Sequence, residues 1–449
     1  MQQKFMNLDQ VEQGLLKRWP ETKLEPTLDR IAAITDALGS PQLSYPTIHI
    51  GGTNGKTSTS RIIDSIMSEL GYRVGRFTSP HLEKITERIS IKGEPISDEL
   101  MIKTYAELAP YFDFIDSKQA HPISFFEAIT AIAFAAFADF PVDVGVIEVG
   151  MGGEWDATNV VQSQVSVMTP IGLDHLQYLG DTIEKIAKTK SGIFKPESNV
   201  VLSAQEPEAA KVLLQKVAQV SAIPFREGME FSLLERNRAV GGQLLKIAGI
   251  HREYEDLFLP LYGDHQAHNA TVALAAAEAF AGVALDEELV RNAFAKASSP
   301  GRFEIIKRNP TVIVDAAHNP HGMNALMKTL NSEFDFQRVI GVIGVMADKD
   351  VAGLVDVAKK GLDLFIATQN SSTRSMPAAQ LAALAGEFIP DKSLVIADSD
   401  LKHAIQTAIQ QAADIENTSD SNAAVLITGS VVTAGEAKTI LREIYGEKK

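Results

Sequence analysis

TIHIGGTNGKTSTSRIIDSIMSEL, residues 47–70, is the stretch on which the fold turns. Thr47–Ile50 is a short run that reads as a strand, and Thr57–Leu70 carries the apolar spacing of a helix. Between them lies Gly51-Gly52-Thr53-Asn54-Gly55-Lys56-Thr57-Ser58. Glycines let backbone amides close around phosphate oxygens, Lys56 can reach the outer phosphates, and the Thr57 hydroxyl can bind Mg²⁺. The helix N-terminus adds free N–H groups and a favourable dipole. The common spacing GxxxxGK[ST] would put a glycine at position 50, where Ile50 stands, so this phosphate-binding loop (P-loop) is one residue tighter.

Outward from this unit the pattern repeats. Val142–Val149 is a near-continuous apolar run, as befits a strand covered on both faces, and Val165–Thr169 is similar. Past residue 310, Thr311–Asp315, Val339–Val345, Leu364–Thr368, Leu394–Ala397 and Ala424–Thr428 read as strands with helical patterns between them. Such alternation predicts a parallel sheet with helices on both faces. Residues 222–262 break it and read as irregular β hairpins. The turn-prone Ala297-Ser298-Ser299-Pro300-Gly301-Arg302 separates two alternating blocks. The expectation is an α/β protein: a P-loop-containing, mostly parallel sheet domain over 1–298, then a smaller Rossmann-like α/β domain over 299–449.

Composition narrows the function classes. The 449 residues are 45% hydrophobic and 22% charged, an ordinary globular balance. The absence of cysteine excludes a disulfide framework, Cys-ligated zinc, iron–sulfur clusters and a cysteine nucleophile. A net charge of −15 argues against generic nucleic-acid binding, while local amides and a few cations can still hold phosphate. Residues 1–20 contain Asp9 and Glu12 and no apolar core of a signal peptide. Ala128–Phe137, the longest apolar stretch, is about half of the ~20 residues a membrane span requires, and reads as a buried helix. The expected compartment is the cytoplasm, with no membrane partner.

Further candidates sit at strand ends. Thr78-Ser79-Pro80-His81-Leu82 follows a strand-like Arg73–Phe77, and Ser79 offers a hydroxyl to a metal. Glu148 ends an apolar strand ahead of Gly150-Met151-Gly152-Gly153, where open α/β sheets put ligands and where a hard cation needs oxygen. Asp174-His175 follows Val165–Thr169 in the same way. Lys185, Lys188 and Lys190 read, from composition, as a solvated helix face with a glycine cap. Asp315 and His318, in Asp315-Ala316-Ala317-His318-Asn319-Pro320, stand at another strand–helix junction, where Asn-Pro is also a plain helix-start signal.

In order along the chain come Gly-Thr-Asn-Gly-Lys-Thr, Thr-Ser-Pro-His-Leu, Ile-Glu-Val-Gly-Met-Gly-Gly and Leu-Asp-His with Lys-Ser-Gly-Ile-Phe-Lys. His-Gln-Ala-His-Asn, Pro-Gly-Arg-Phe-Glu, Asp-Ala-Ala-His-Asn-Pro-His-Gly and Thr-Gly-Ser follow. Over about residues 25–440 the chain resembles the folylpolyglutamate synthases, often bifunctional with dihydrofolate synthase, within the Mur ligase superfamily. The resemblance implies an ATP- and Mg²⁺-dependent amide ligase acting through an acyl phosphate. Its substrates would be L-glutamate and either tetrahydrofolate or dihydropteroate.

By position, the resemblance gives Gly52, Thr53, Asn54, Gly55, Lys56, Thr57 and Ser58 to the ATP phosphates, and Thr57, Ser79, Glu148 and His175 to Mg²⁺. It gives Lys190 to carbamylation by CO₂, and Asn269, Arg302, Asp315 and His318 to the nucleotide; Lys190, Asp315 and His318 are the catalytic candidates. ATP would then lie between the domains. The region near Leu24–Ser40 and the loop after Ser79 would help bind the pterin. A monomer is implied; monovalent-cation dependence is open.

Only about 50 residues precede the P-loop, too few for the extra domain of ligases that act on UDP-sugars. Glu154 stands where the family often has Arg, and Ser372-Thr373-Arg374 replaces a common Ser-Pro-Arg. Two other readings are a Mur-type amide ligase with a different acyl substrate and a non-ligase P-loop nucleotide switch. A switch has no use for Lys190 or for free glutamate, so amino-acid-dependent ATP turnover separates them.

Overall fold

The computed structural model describes residues 6–19, 26–418 and 422–446. The chain divides into two compact units, Met1–Pro260 with Gln266–Ser298, and Leu261–His265 with Ser299–Lys449. In chain order the strands of the first unit are β1 Thr47–Gly51, β2 Val74–Phe77, β3 Ile89–Ile91, β4 Glu94–Pro95, β5 Val144–Glu148 and β6 Val165–Met168. Then come β7 Asn199–Leu202, β8 Ile223–Arg226, β9 Ser232–Ala239, β10 Gly242–Ala248 and β11 Glu253–Leu259. The second unit contributes β12 Glu304–Lys307, β13 Thr311–Val314, β14 Arg338–Ile343, β15 Leu364–Ala367, β16 Val395–Ala397 and β17 Ala423–Thr428.

Eight strands of the first unit form one sheet in the order β4-β3-β2-β5-β1-β6-β7-β8. From β2 to β8 every pairing is parallel, and β3 and β4 add an antiparallel edge. All five residues of β1 and of β5 are buried, which explains their near-continuous apolar sequence. The chain leaves β1 for β2, returns to β5 at β1's flank, and then crosses to β6 on the other side. Strand order therefore reverses around β1, and the carboxyl ends of β2, β5, β1 and β6 line up where open α/β sheets bind ligands.

The apolar segment near 128–137 is the centre of the helix Phe125–Asp139, apolar all round and buried along most of its length. It starts at a reciprocal cap: Glu127 N donates to Ser124 Oγ at 3.2 Å and Ser124 N to Glu127 Oε2 at 2.7 Å. The P-loop helix Lys56–Glu69 is fastened to β2 by a buried pair, Arg76 Nε donating to Asp64 Oδ2 at 2.8 Å. Removing one partner of such a pair strands a buried charge and costs roughly 3–5 kcal/mol.

The irregular region near 222–262 resolves into two parts. β8 completes the large sheet, and β9, β10 and β11 form a separate antiparallel meander. In the second unit six strands run β12-β13-β17-β14-β15-β16, parallel apart from the edge strand β12. Helices Pro320–Glu333, Val351–Ala358 and Ala378–Phe388 bury Leu326, Leu354, Leu381 and their neighbours around Phe365 and Leu426. Both units are thus α/β. No helix among the described residues is long and apolar enough to cross a membrane.

Candidate active site

The P-loop leaves β1 through two glycines in the left-handed region, Gly52 at φ 138° and Gly55 at φ 89°. A methyl at Gly52 would lie 1.9 Å from Thr169 Oγ1 and 2.9 Å from the Thr169 carbonyl oxygen, so this glycine is required by space as well as by φ; one at Gly55 would lie 2.4 Å from the Asn269 side-chain Oδ1, and there φ is the main requirement. The loop is tied to the end of β6. Thr53 N donates to Pro170 O at 3.0 Å, and the Thr53 hydroxyl donates to Gly172 O at 3.1 Å while accepting from Gly172 N at 3.0 Å. Lys56 folds over the loop, its ammonium donating to Gly52 O at 3.2 Å and Thr53 O at 3.3 Å. Ser58 is buried in the first helical turn, whose N–H groups have no intrahelical acceptor.

The Thr57 hydroxyl donates to Glu148 Oε1 at 2.9 Å, and Glu148 is 1% exposed. A hydroxyl and a buried carboxylate side by side at the end of a phosphate loop are oxygen donors suited to Mg²⁺. Ser79 follows β2 on the same sheet edge. His175, after β6, has φ 53°, and its Nε2 lies 3.9 Å from Asp174 Oδ2. Among the described residues no three His, Cys, Asp or Glu side chains converge at one point. Within the expected cation set, Thr57 and Glu148 are in direct contact.

Lys190 departs from the solvated helix face that composition indicates. It ends the helix Ile183–Lys190, is 5% exposed, and its ammonium donates to Gly52 O at 2.7 Å. Burial first, and then the Lys56 cation, push its pKa down to about 7, against the opposing pull of Asp174 and Asp156. An amine at that value is substantially neutral near pH 7 and nucleophilic. Asn269, on the helix Asp264–Ala281, backs onto Gly55, and its Nδ2 donates to Gln266 Oε1 at 3.1 Å.

Several residues of this site carry no sequence motif of their own. His49, wholly buried in β1, lies 2.8 Å from Thr158 Oγ1 through Nε2. Burial, then Lys195, push its pKa down to about 3. The Thr158 hydroxyl donates to Asp156 Oδ1 at 2.5 Å, and Met151 N donates to Asp156 Oδ2 at 2.9 Å. Burial pushes the Asp156 carboxyl up. The available signal was compositional: a histidine inside an apolar strand, and the polar Asp156-Ala157-Thr158-Asn159 after a glycine loop. Glu154 is exposed, so its charge points to solvent while its backbone takes part in the loop's packing.

Around the loop after Ser79, Arg88 Nε donates to His81 Nδ1 at 2.9 Å, and burial, then Arg88, push the His81 pKa down to about 4. Of the segment near Leu24–Ser40, residues 24 and 25 lie outside the described residues. The rest includes the helix Asp29–Ala37, on which Arg30 Nε donates to both Glu127 oxygens at 3.1 Å.

The second unit holds its own cluster. Asp315 accepts from Phe303 N at 2.8 Å and Ala317 N at 2.7 Å, and burial raises its pKa against the pull of Arg302 and His318. His318 Nδ1 lies 3.1 Å from Ala316 O. Arg302 NH1 donates to Gly301 O at 3.1 Å.

Comparison with known proteins gives the family. Residues 50–277 match the Mur ligase middle domain, and residues 301–431 the Mur ligase glutamate ligase domain. A Mycobacterium tuberculosis dihydrofolate synthase/folylpolyglutamate synthase is 47% identical, over 97% of this chain and 94% of that one. The M. tuberculosis folylpolyglutamate synthase structure complexed with ADP superposes with a TM-score of 0.93 at 46% identity, covering 98% of each chain. The Escherichia coli FolC structure in complex with DHPP and ADP gives 0.83 at 29% identity, over 98% and 99% of the two chains. The chain belongs to the dihydrofolate synthase/folylpolyglutamate synthase family of Mur ligases.

Proposed function

We propose that this chain is an ATP-dependent ligase that joins L-glutamate by an amide bond to the carboxylate of a folate, and to that of dihydropteroate. A carboxylate is a poor electrophile until an oxygen is phosphorylated. The substrate carboxylate oxygen attacks the γ-phosphorus of ATP and ADP leaves. The neutral glutamate amine then attacks the acyl carbon, the C–O bond to phosphate breaks, and the amine proton is lost. Such chemistry depends on positioning and charge neutralisation.

The observation that carries the reading is the buried Lys190 ammonium on the Gly52 carbonyl. A plain nucleotide switch gains nothing from a further, buried lysine beside the part-exposed Lys56. As the neutral amine, Lys190 Nζ adds to the carbon of CO₂ and loses a proton. A cation next to the phosphate loop thereby becomes a carboxylate-like anion. The amides of residues 52–58 and the Lys56 ammonium hold the ATP phosphates, and Asn269 supports the loop behind Gly55. Thr57, Glu148, Ser79 and His175 supply the donors for Mg²⁺, which neutralises phosphoryl oxygens when bound.

For Arg302, Asp315 and His318 of the second unit, a role toward the nucleotide is supported by the family pattern. A further support is that Asp315 organises the loop carrying Arg302 through Phe303 N. The same reading makes residues 1–298 the ATP-binding domain and 299–449 the ligase domain of a cytoplasmic monomer. A monovalent-cation requirement is read from the potassium dependence of turnover. Mass spectrometry of the pterin product tests the activity: the acceptor gains one glutamyl residue per turnover, and an unchanged acceptor contradicts the assignment.

A further inference from the structure

Two backbone segments touch beneath Lys190. A methyl at Gly153 would lie 2.6 Å from Lys190 O, and one at Gly192 2.4 Å from Glu154 Cα. The loop that follows Glu148 and the end of the Lys190 helix therefore pack backbone to backbone. Glu154 N donates to Thr189 O at 2.9 Å across this seam. Asn159, 8% exposed, spans it as well: its Nδ2 donates to Glu154 O at 2.9 Å and to Gly192 O at 3.2 Å. The Lys195 ammonium holds Asn159 in that orientation, donating to Asn159 O and Asn159 Oδ1, each at 2.9 Å.

We propose that Asn159 and Lys195 are positioning residues that set Lys190 in register with Glu148 and the P-loop. Neither contacts the Lys190 ammonium. They act on the backbone on either side of it, and this role rests on the reading of Lys190 given above. An amide is needed at position 159 because its nitrogen must donate to two carbonyls while its oxygen accepts from Lys195. A carboxylate keeps the second function and loses the first.

The test compares Asn159→Asp, Lys195→Met and Lys195→Arg, each alone and combined with Lys190→Ala, in the full-length chain. Asn159→Asp and Lys195→Met should lower kcat about 10- to 100-fold, as loss of a supporting shell does, with little change in KM for ATP. Lys195→Arg, which keeps a cationic donor, should retain most of the turnover. In the Lys190→Ala background the same changes should cost little further, because their effect runs through the lysine.

A second measurement is independent of turnover. Labelling of Lys190 by an amine-acylating reagent, read by peptide mass spectrometry, should speed up several-fold in Asn159→Asp and Lys195→Met. Labelling of Lys103, whose side chain is 61% exposed, should stay constant. If Asn159→Asp does not fold, the Lys195 pair carries both measurements. Losses that multiply in the Lys190→Ala background, with unchanged Lys190 labelling, overturn the proposal alone. Unimpaired turnover in Lys190→Ala overturns both this role and that of the lysine. Absence of glutamate-dependent turnover in the unaltered chain overturns the ligase reading itself, while the labelling result still judges the clamp.

Discussion

Lys190 Nζ donates to Gly52 O at 2.7 Å, joining the end of one helix to a phosphate-loop carbonyl 138 residues earlier in the chain. The contact holds a cation where a second cation, Lys56, already donates to the same carbonyl at 3.2 Å. Two ammonium groups on one oxygen, in a buried setting, favour losing one proton, and Lys190 is the more buried of the two.

The carbamylation proposed for Lys190 requires that proton loss. The neutral amine grows in population as pH rises through about 7. Incubation with ¹³C-bicarbonate should give a carbamate NMR signal that strengthens above that pH and is missing from Lys190→Met. A signal of equal size in the variant would assign it elsewhere.

The Thr57–Glu148 contact is the cation's expected seat. Thr57→Val and Glu148→Gln should each reduce ADP release about 10²- to 10³-fold, the scale of losing a preorganised electrostatic group. Thr57→Ser, which keeps the hydroxyl, should retain most of it. Titration calorimetry with ADP and Mg²⁺ reads the binding side of the same change.

Gly52→Ala and Gly39→Ala separate crowding from backbone strain. Both positions have positive φ, but a methyl at Gly39 meets nothing within 4 Å, whereas one at Gly52 meets Thr169 Oγ1 at 1.9 Å and Thr169 O at 2.9 Å. Gly39→Ala should cost about 1–2 kcal/mol of stability from φ alone and leave ADP binding intact. Gly52→Ala should lose ADP binding. Equal ADP affinity in the two would remove the close approach as the reason for glycine.

His49 gives a pH signature of stability. Its pKa is 6.5 when unfolded and about 3 in the fold, so its neutral burial stabilises fully above pH 6.5. That contribution drains away as pH falls, because the unfolded chain takes up the proton first. Urea unfolding between pH 6.5 and 4 should be less steeply pH-dependent for His49→Gln, by up to about 1.4 kcal/mol per pH unit. Parallel profiles would place the acid sensitivity elsewhere. His81, also depressed, contributes alike to both proteins.

The parallel architecture was legible because local pattern and tertiary role agree. β1 and the P-loop helix fall within a residue of their expected limits. Strands β13, β14, β15 and β17 read as apolar runs since both of their faces are buried. The edge strand Glu304–Lys307 was harder, being half-exposed with no period long enough to register, although the opposite edge strand Val395–Ala397 was read. Within the candidate site, the glycine loop and the strand-end Glu148 announce themselves by local sequence. The burial of Lys190 does not, since the helix Ile183–Lys190 is polar in composition and only its packing against Gly153 and Gly52 hides the last lysine. His49, Asn159 and Lys195 likewise acquire their roles from contacts across more than thirty residues of chain.

ADP release by the purified protein with Mg²⁺, ATP and glutamate tests the central claim most directly, comparing dihydropteroate, tetrahydrofolate and no acceptor. Glutamate-dependent release with both pterins, and none without an acceptor, is the predicted result. Stimulation by neither pterin would contradict the folate assignment.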